Sequence, residues 1–152
     1  SGKHQINGLK RNIVIDGQGN PLAITCCRAN HHDQKYALKT VDKTTVGGKI
    51  RRPKRIGADK GYDSDGLRRG LMTRTIKPVL IRRDNNKKNI TRLEIREKRY
   101  CRQRWKVERS INWLNNNRRV DRFMEKKTST YQGFCHLMFI KYYLKKLNKR
   151  VL

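Results

Sequence analysis

Between Tyr100 and Leu114 the chain reads YCRQRWKVERSINWL, and this stretch limits the possible folds more than any other. Val107, Ile111 and Leu114 recur at i, i+4 and i+7, the spacing that lays an apolar stripe along one side of a helix. The helix is expected to run from about Leu93 to Asn116 and must bury that stripe against another element. Beside the stripe, Arg102, Arg104, Lys106 and Arg109 surround one carboxylate, Glu108. Arg104 and Glu108 are four apart and so neighbour each other on the helix. Two readings of Glu108 stand at this point. One is an intrahelical salt bridge on a solvated face, a common and weak feature. The other is a carboxylate held for a metal ion, with the cations directed at a polyanion. Trp105 and Trp113, eight apart, read as core residues rather than as platforms for stacking bases.

The remaining chain alternates strand and helix signals. Asn12–Ile15 and Pro21–Cys26 are apolar runs separated by the turn formers Asp16-Gly17-Gln18-Gly19-Asn20, a β-hairpin signature. Asn30-His31-His32-Asp33 offers N-cap types ahead of Tyr36, Leu38 and Val41, so a short helix is expected there. Thr44 to Arg55 reads as a loop, Ile56–Ala58 as a strand ending at Asp59, and Asp65 to Arg74 as a helix. Lys77–Ile81 is another strand, Asp84 to Asn89 a polar connection, and Ser129 to Leu147 a final helix with Lys141, Lys145 and Lys146 on its polar surface. That alternation predicts an α/β domain, a mixed sheet with helices on both faces. Asp59 then lies at the carboxyl end of a strand, where open α/β sheets place their ligand sites.

Charge narrows the partner. Lys and Arg number 39 against 12 Asp and Glu, a net charge of +27 on 152 residues. Such an excess repels itself in the compact state and calls for a polyanion. Nucleic acid fits best, because each phosphate neutralised releases condensed counterions. No apolar run reaches the roughly 20 residues of a membrane-spanning helix, and nothing at the N-terminus reads as a signal peptide. A cytoplasmic, nucleoid-associated location is the expectation. Cys26, Cys27, Cys101 and Cys135 form no CxxC pair, and His31-His32 has no third ligand nearby, so zinc is not indicated. The cysteines read as small core or surface residues in a reducing compartment.

Four blocks in collinear order carry a family resemblance. Gly57-Ala58-Asp59-Lys60-Gly61-Tyr62-Asp63-Ser64 resembles the "ADKGYDS" block of bacterial insertion-sequence transposases of the IS4/IS5 type. Arg104 to Leu114 resembles their "RWxVERTxxWL" block, and Val14 to Leu22 their "LVDANGNPL" hairpin. Arg118-Arg119 and the phrase from Phe123 through Tyr131, Phe134, His136 and Leu137 resemble the family's tail. The resemblance implies an RNase H-like fold and a DDE metal site. It also implies cutting and joining of DNA strands at transposon ends with Mg²⁺ or Mn²⁺. Carried over by position, Asp59 matches the second acid, Glu108 the final Glu, and Arg104 the Arg of the family's Tyr-Arg-Glu signature. Asp59 and Glu108 are thus the implied metal ligands.

Two departures stand out. The signature's Tyr falls at Cys101, with Tyr100 one place early, and the often basic residue seven beyond Glu108 is Asn115. The first catalytic Asp of the family lies on a strand ahead of the hairpin; Asp16 matches the hairpin turn instead and reads as a turn former before Gly. The expectation is therefore a partial catalytic domain over 1–152 that lacks the first strand and exposes a sheet edge. By itself it is expected to be inactive, completed by an upstream transposase polypeptide or acting as a homodimer. Lys60, Tyr62, Arg102, Arg109, Arg118, Arg119 and Arg122 are the candidate contacts to double-stranded DNA, positioning it without reading sequence. Two alternatives are a non-catalytic basic nucleic-acid binder, a decayed remnant whose acids are structural, and a hydrolytic nuclease of the same fold.

Overall fold

The computed structural model describes residues 9–29, 33–46, 49–80, 100, 102–122 and 124–151. Strand β1 (Leu9–Ile15) and strand β2 (Pro21–Arg28) form the expected antiparallel hairpin, with Asn12 opposite Thr25 and Ile13 opposite Ile24. The register shifts between Val14 and Ile15 as the chain enters the turn. Asp16 organises that turn. Its Oδ1 accepts from the amides of Gln18 and Asn20 at 2.8 and 2.9 Å, and its Oδ2 from the Asn20 side-chain amide at 2.6 Å. Gly19 adopts φ +88°, a left-handed conformation open to glycine.

Helix α1 (Asp33–Asp42) follows, then a two-residue ribbon of β3 (Thr45–Val46) and β4 (Lys49–Ile50). The ribbon lies where the sequence suggested only loop; pairs this short leave no hydrophobic alternation to read. Strand β5 (Arg55–Ala58), helix α2 (Asp65–Met72) and strand β6 (Lys77–Leu80) form a parallel unit, the helix serving as the crossover that parallel strands require. The expected polar connection at 84–89 and the start of the long helix at 93–99 lie outside the described residues, as do His31, His32 and Cys101. Helix α3 (Trp105–Asn115) is preceded by a 3-10 turn at Arg102–Arg104 and followed by a short helix α4 (Arg118–Asp121). Helix α5 (Thr128–Val151) extends beyond the expected 129–147 at both ends.

Strand β2 is buried from Ala23 to Cys27, on both faces of the pleat. One face packs Ile24 and Cys26 against Leu114 of α3, Val120 of α4 and Tyr131, Cys135 and Phe139 of α5. The other side of the fold gathers Val41 of α1, Leu67 and Leu71 of α2, Ile76, and Leu80 of β6, with Val14 and Ile56 partly buried against them. Helices thus cover both faces of the hairpin, but among the described residues the strands form three two-stranded sheets instead of the one mixed sheet expected. Cys26 and Cys27 face opposite sides: Cys26 joins the first cluster, and Cys27 accepts from the Asn12 amide at 3.8 Å. Tyr131 donates to the Val120 carbonyl at 2.5 Å, tying α5 to α4. Burial pushes its hydroxyl up to about 12.

Among the described residues β1 pairs only with β2, and β5 only with β6. The sides of β1 and β5 that pair with no described strand border one cleft of about 550 Å³. Arg11 to Gly17 and Arg55 to Asp59 line it, together with Arg104, Val107 and Glu108. Tyr62 spans the two sheets by donating to Asn12 Oδ1 at 2.7 Å.

The Asp16 turn yields a pH-dependent expectation. Partial burial raises its carboxyl, but the hydrogen bonds from Asn20 and Gln18 and the nearby Lys146 outweigh this and hold it below the ordinary value. Its folded pKa is depressed, so its stabilisation is present above the unfolded value of about 3.9 and fades as pH falls through the folded value. Asp16→Ala is expected to lower stability by about 1–2 kcal/mol at neutral pH. The gap from the unsubstituted chain should close in strongly acidic solution. Urea unfolding at several pH values checks this.

Candidate active site

Asp59 sits where β5 ends, and its position follows from the turn that leaves the strand. It caps the 3-10 turn Lys60–Tyr62, its Oδ1 accepting from the Lys60 amide at 2.8 Å. The residues after it are architectural. Tyr62 reaches Asn12, and Ser64 caps α2 by accepting from the Leu67 amide at 3.2 Å. Asp63, with only 5% of its side chain exposed, pairs with Arg68 at 2.7 Å. Arg68 also donates to the Leu80 carbonyl at 2.7 Å, so α2 and the end of β6 are locked to the turn that carries Asp59. Gly57 lies under the ring of Tyr100; a Cβ there would meet the ring at 2.8 Å. Arg55 stacks on the same ring at 5.7 Å.

Glu108 lies in the first turn of α3. Three side chains of that helix fix it on the hairpin turn. Lys106 Nζ donates to the Gly17 carbonyl at 2.5 Å, Arg109 Nη2 to the Gln18 carbonyl at 3.0 Å, and Ser110 Oγ to the Gly19 carbonyl at 2.8 Å. A Cβ at Gly19 would stand 2.7 Å from Arg109 Nη2, so a larger residue there would displace that guanidinium. The helix so placed brings Arg104 between the two acids. Its Nη1 lies 3.1 Å from Asp59 Oδ1 and its Nη2 3.5 Å from Glu108 Oε1. Side-chain exposures of 57% for Arg104, 56% for Asp59 and 59% for Glu108 put all three in contact with solvent. Pairs this exposed contribute at most about 1 kcal/mol to folding, so stability does not account for the grouping.

The carboxylates of Asp59 and Glu108 are hard oxygen donors of the kind divalent cations prefer. They line the same cleft, and Arg104 engages one oxygen of each. Among the described residues no three His, Cys, Asp or Glu side chains converge. Asp16, the remaining early acid, is occupied by its turn.

The chain matches the family model described as "Transposase DDE domain" over residues 1–144. It belongs to the transposase DDE domain family. It is also 32% identical over 136 residues to a Burkholderia cepacia protein named "Putative transposase for insertion sequence element IS402". That alignment covers 86% of this chain and 60% of the relative, so the chain spans well under two thirds of that protein's length. No solved structure matches.

The basic candidates are distributed unevenly around the acids. Lys60, Arg102 and Arg104 are exposed on the two 3-10 turns and at the start of α3. Arg118, Arg119 and Arg122 are exposed at α4; Arg119 pairs with Glu125 at 3.1 Å and stacks on Phe134. Arg109 is exposed but already holds the Gln18 carbonyl, and Tyr62 is partly buried against Asn12. Trp113 packs against the core and meets Tyr142 edge to face, as expected. Trp105 does not join the core: it is 52% exposed, with the Arg109 guanidinium 5.0 Å from its ring centre. It is the first residue of α3 and lies off the Val107–Ile111–Leu114 stripe, which an eight-residue spacing to Trp113 could not reveal. Tyr100, one place before the position of the family signature's Tyr, holds its ring over Gly57. That glycine, which alone admits the ring, was the available signal for the placement.

Asp59 and Asp63 should therefore separate on substitution. Asp63→Ala leaves the partly buried Arg68 without its carboxylate partner and is expected to cost about 1.5–3 kcal/mol. Asp59→Ala, which loses an exposed ion pair and a local cap, should cost about 1 kcal/mol. Thermal and urea unfolding of the two variants measures the contrast.

Proposed function

We propose that this chain supplies two of the three metal-binding carboxylates of a transposase that cuts and joins DNA strands at transposon ends. The observation that carries the reading is Arg104 bridging Asp59 and Glu108, one from a strand end and one from a helix, in a pairing that stability does not require. Asp59 and Glu108 would hold Mg²⁺ or Mn²⁺, and Arg104 orients them or a phosphate. Such an ion, when bound, polarises the phosphoryl oxygens and stabilises the charge of an in-line displacement. In the joining step a DNA 3′-hydroxyl is the nucleophile.

The third carboxylate belongs, in this reading, to a further strand of an RNase H-like sheet. The cleft between β1 and β5 supports that placement. It is bordered by sides of β1 and β5 that pair with no described strand, and a strand seated there would join the two half-sheets and point its end toward Asp59. The resemblance puts this strand ahead of the hairpin. Lys60, Arg102, Arg109, Arg118, Arg119 and Arg122 are exposed cations for the DNA backbone, with the partly buried Tyr62 beside them. Double-stranded transposon ends and target DNA are the proposed partners, together with a second protomer or an upstream transposase polypeptide.

DNA nicking and strand-transfer assays test this on the chain joined to, or mixed with, the region preceding the hairpin in such transposases. Joining should require Mg²⁺ or Mn²⁺ and fall about a hundredfold or more in Asp59→Ala and Glu108→Gln, the size expected when a metal ligand is lost. Salt-sensitive DNA binding indifferent to metal and to Asp59 would establish a non-catalytic binder instead. Cutting without joining would establish a nuclease.

A further inference from the structure

Helix α5 is apolar on two sides, and only one of them meets the core. Its inner side is Tyr131, Cys135 and Phe139, packed on β2, α3 and α4. On another side Leu137, Ile140, Leu144 and Leu147 are 54%, 55%, 56% and 57% exposed. They are spaced three, four and three apart, the a/d repeat of a helix that pairs with another helix. Gly133 continues the seam one step toward the N-terminus, with open space over its Cα. A chain of net charge +27 gains nothing in solubility from such a stripe.

We infer that this seam docks an amphipathic helix of a protein partner, apolar along its own a/d positions and acidic at the flanks. Width and charge choose the occupant. Two apolar positions per heptad form a strip that suits one helix, whereas a helix lying on lipid presents a broader apolar face. Exposed Lys141 and Lys145 lie along one side of the seam. A second copy would bring lysine against lysine between two strongly basic bodies, which disfavours self-pairing. Glutamate or aspartate at the facing positions meets those lysines with opposite charge. The inference does not rest on the metal site, because the seam's residues lie outside the cleft that Asp59 and Glu108 line.

The probe is a synthetic helix of about three heptads with leucine at a and d and glutamate at e and g, labelled for fluorescence anisotropy. Its controls are a scrambled peptide of the same composition and charge and a version with lysine at e and g. The protein should bind the acidic helix but neither control. Leu144→Ser and Ile140→Ser should each weaken binding about tenfold, the worth of one buried aliphatic side chain. Both positions are exposed, so circular dichroism should show both variants folded. Equal binding of the scrambled peptide would reduce the effect to bulk charge and overturn the proposal. Sedimentation showing a dimer that Leu144→Ser dissolves would assign the seam to a second copy. Seam-dependent capture by anionic phospholipid vesicles would assign it to a membrane surface. Either of these also overturns the proposal.

Discussion

Three consecutive carbonyls in the β1–β2 turn, those of Gly17, Gln18 and Gly19, each receive a side chain from α3. Much of the candidate site depends on that seating. Hydrogen bonds from charged donors are worth about 1.5–3 kcal/mol when shielded and less in contact with water. The buried Ser110 bond is therefore the steadiest of the three, and Lys106 and Arg109 set the direction. The stripe of Val107, Ile111 and Leu114 fixes which side of α3 faces inward. The turn fixes how far along the hairpin the helix sits. Together they leave Glu108 facing Asp59 with Arg104 between, although Asp59 and Arg104 are 45 residues apart in the chain. The Asp16 network that shapes the turn is thus linked to the site through the turn carbonyls and the three α3 side chains seated on them.

Asp59 is held by separate means. Asp63 and the partly buried Arg68 are paired, Ser64 starts α2, and Tyr62 reaches across to Asn12. A single block of eight residues therefore mixes one exposed acid with several side chains whose work is to place it. The division is physical: Asp63 is a charge that cannot be left alone in the interior, whereas Asp59 is a charge that water still reaches. Cations divide in the same way. Arg68 and Arg74 close internal bridges, Lys146 bonds Asn20, and Lys106 and Arg109 cap the turn. Arg102, Arg118 and Arg122 are exposed, and they are among the cations proposed to meet an external polyanion.

Much of this was legible in the sequence because the signals were periodic or chemically specific. The hairpin followed from two apolar runs about a Gly-rich turn, and the β5–α2–β6 unit from a strand ending at an acid ahead of an amphipathic helix. The pairing of Arg104 with Glu108 followed from their four-residue spacing. Its extension to Asp59 depends on tertiary placement, which spacing cannot supply. Trp105 was misread because two tryptophans eight apart diverge around a helix, and the first-turn position turns its ring to solvent. The β3–β4 ribbon was too short to show alternation. The outer seam of α5 was hidden by its own success as a helix pattern: an apolar helix looks like a core helix until the core is seen to use only one side.

The central claim is that Asp59 and Glu108 form one divalent-metal site. Titrating Mn²⁺ into isotopically labelled protein and following paramagnetic broadening of backbone amides tests it most directly. Amides around Asp59–Lys60 and around Glu108 should broaden together, before any others, and both effects should vanish in a folded Asp59→Ala variant. Broadening centred on Asp16, Asp121 or Glu125, or effects at Glu108 that persist without Asp59, would contradict the account.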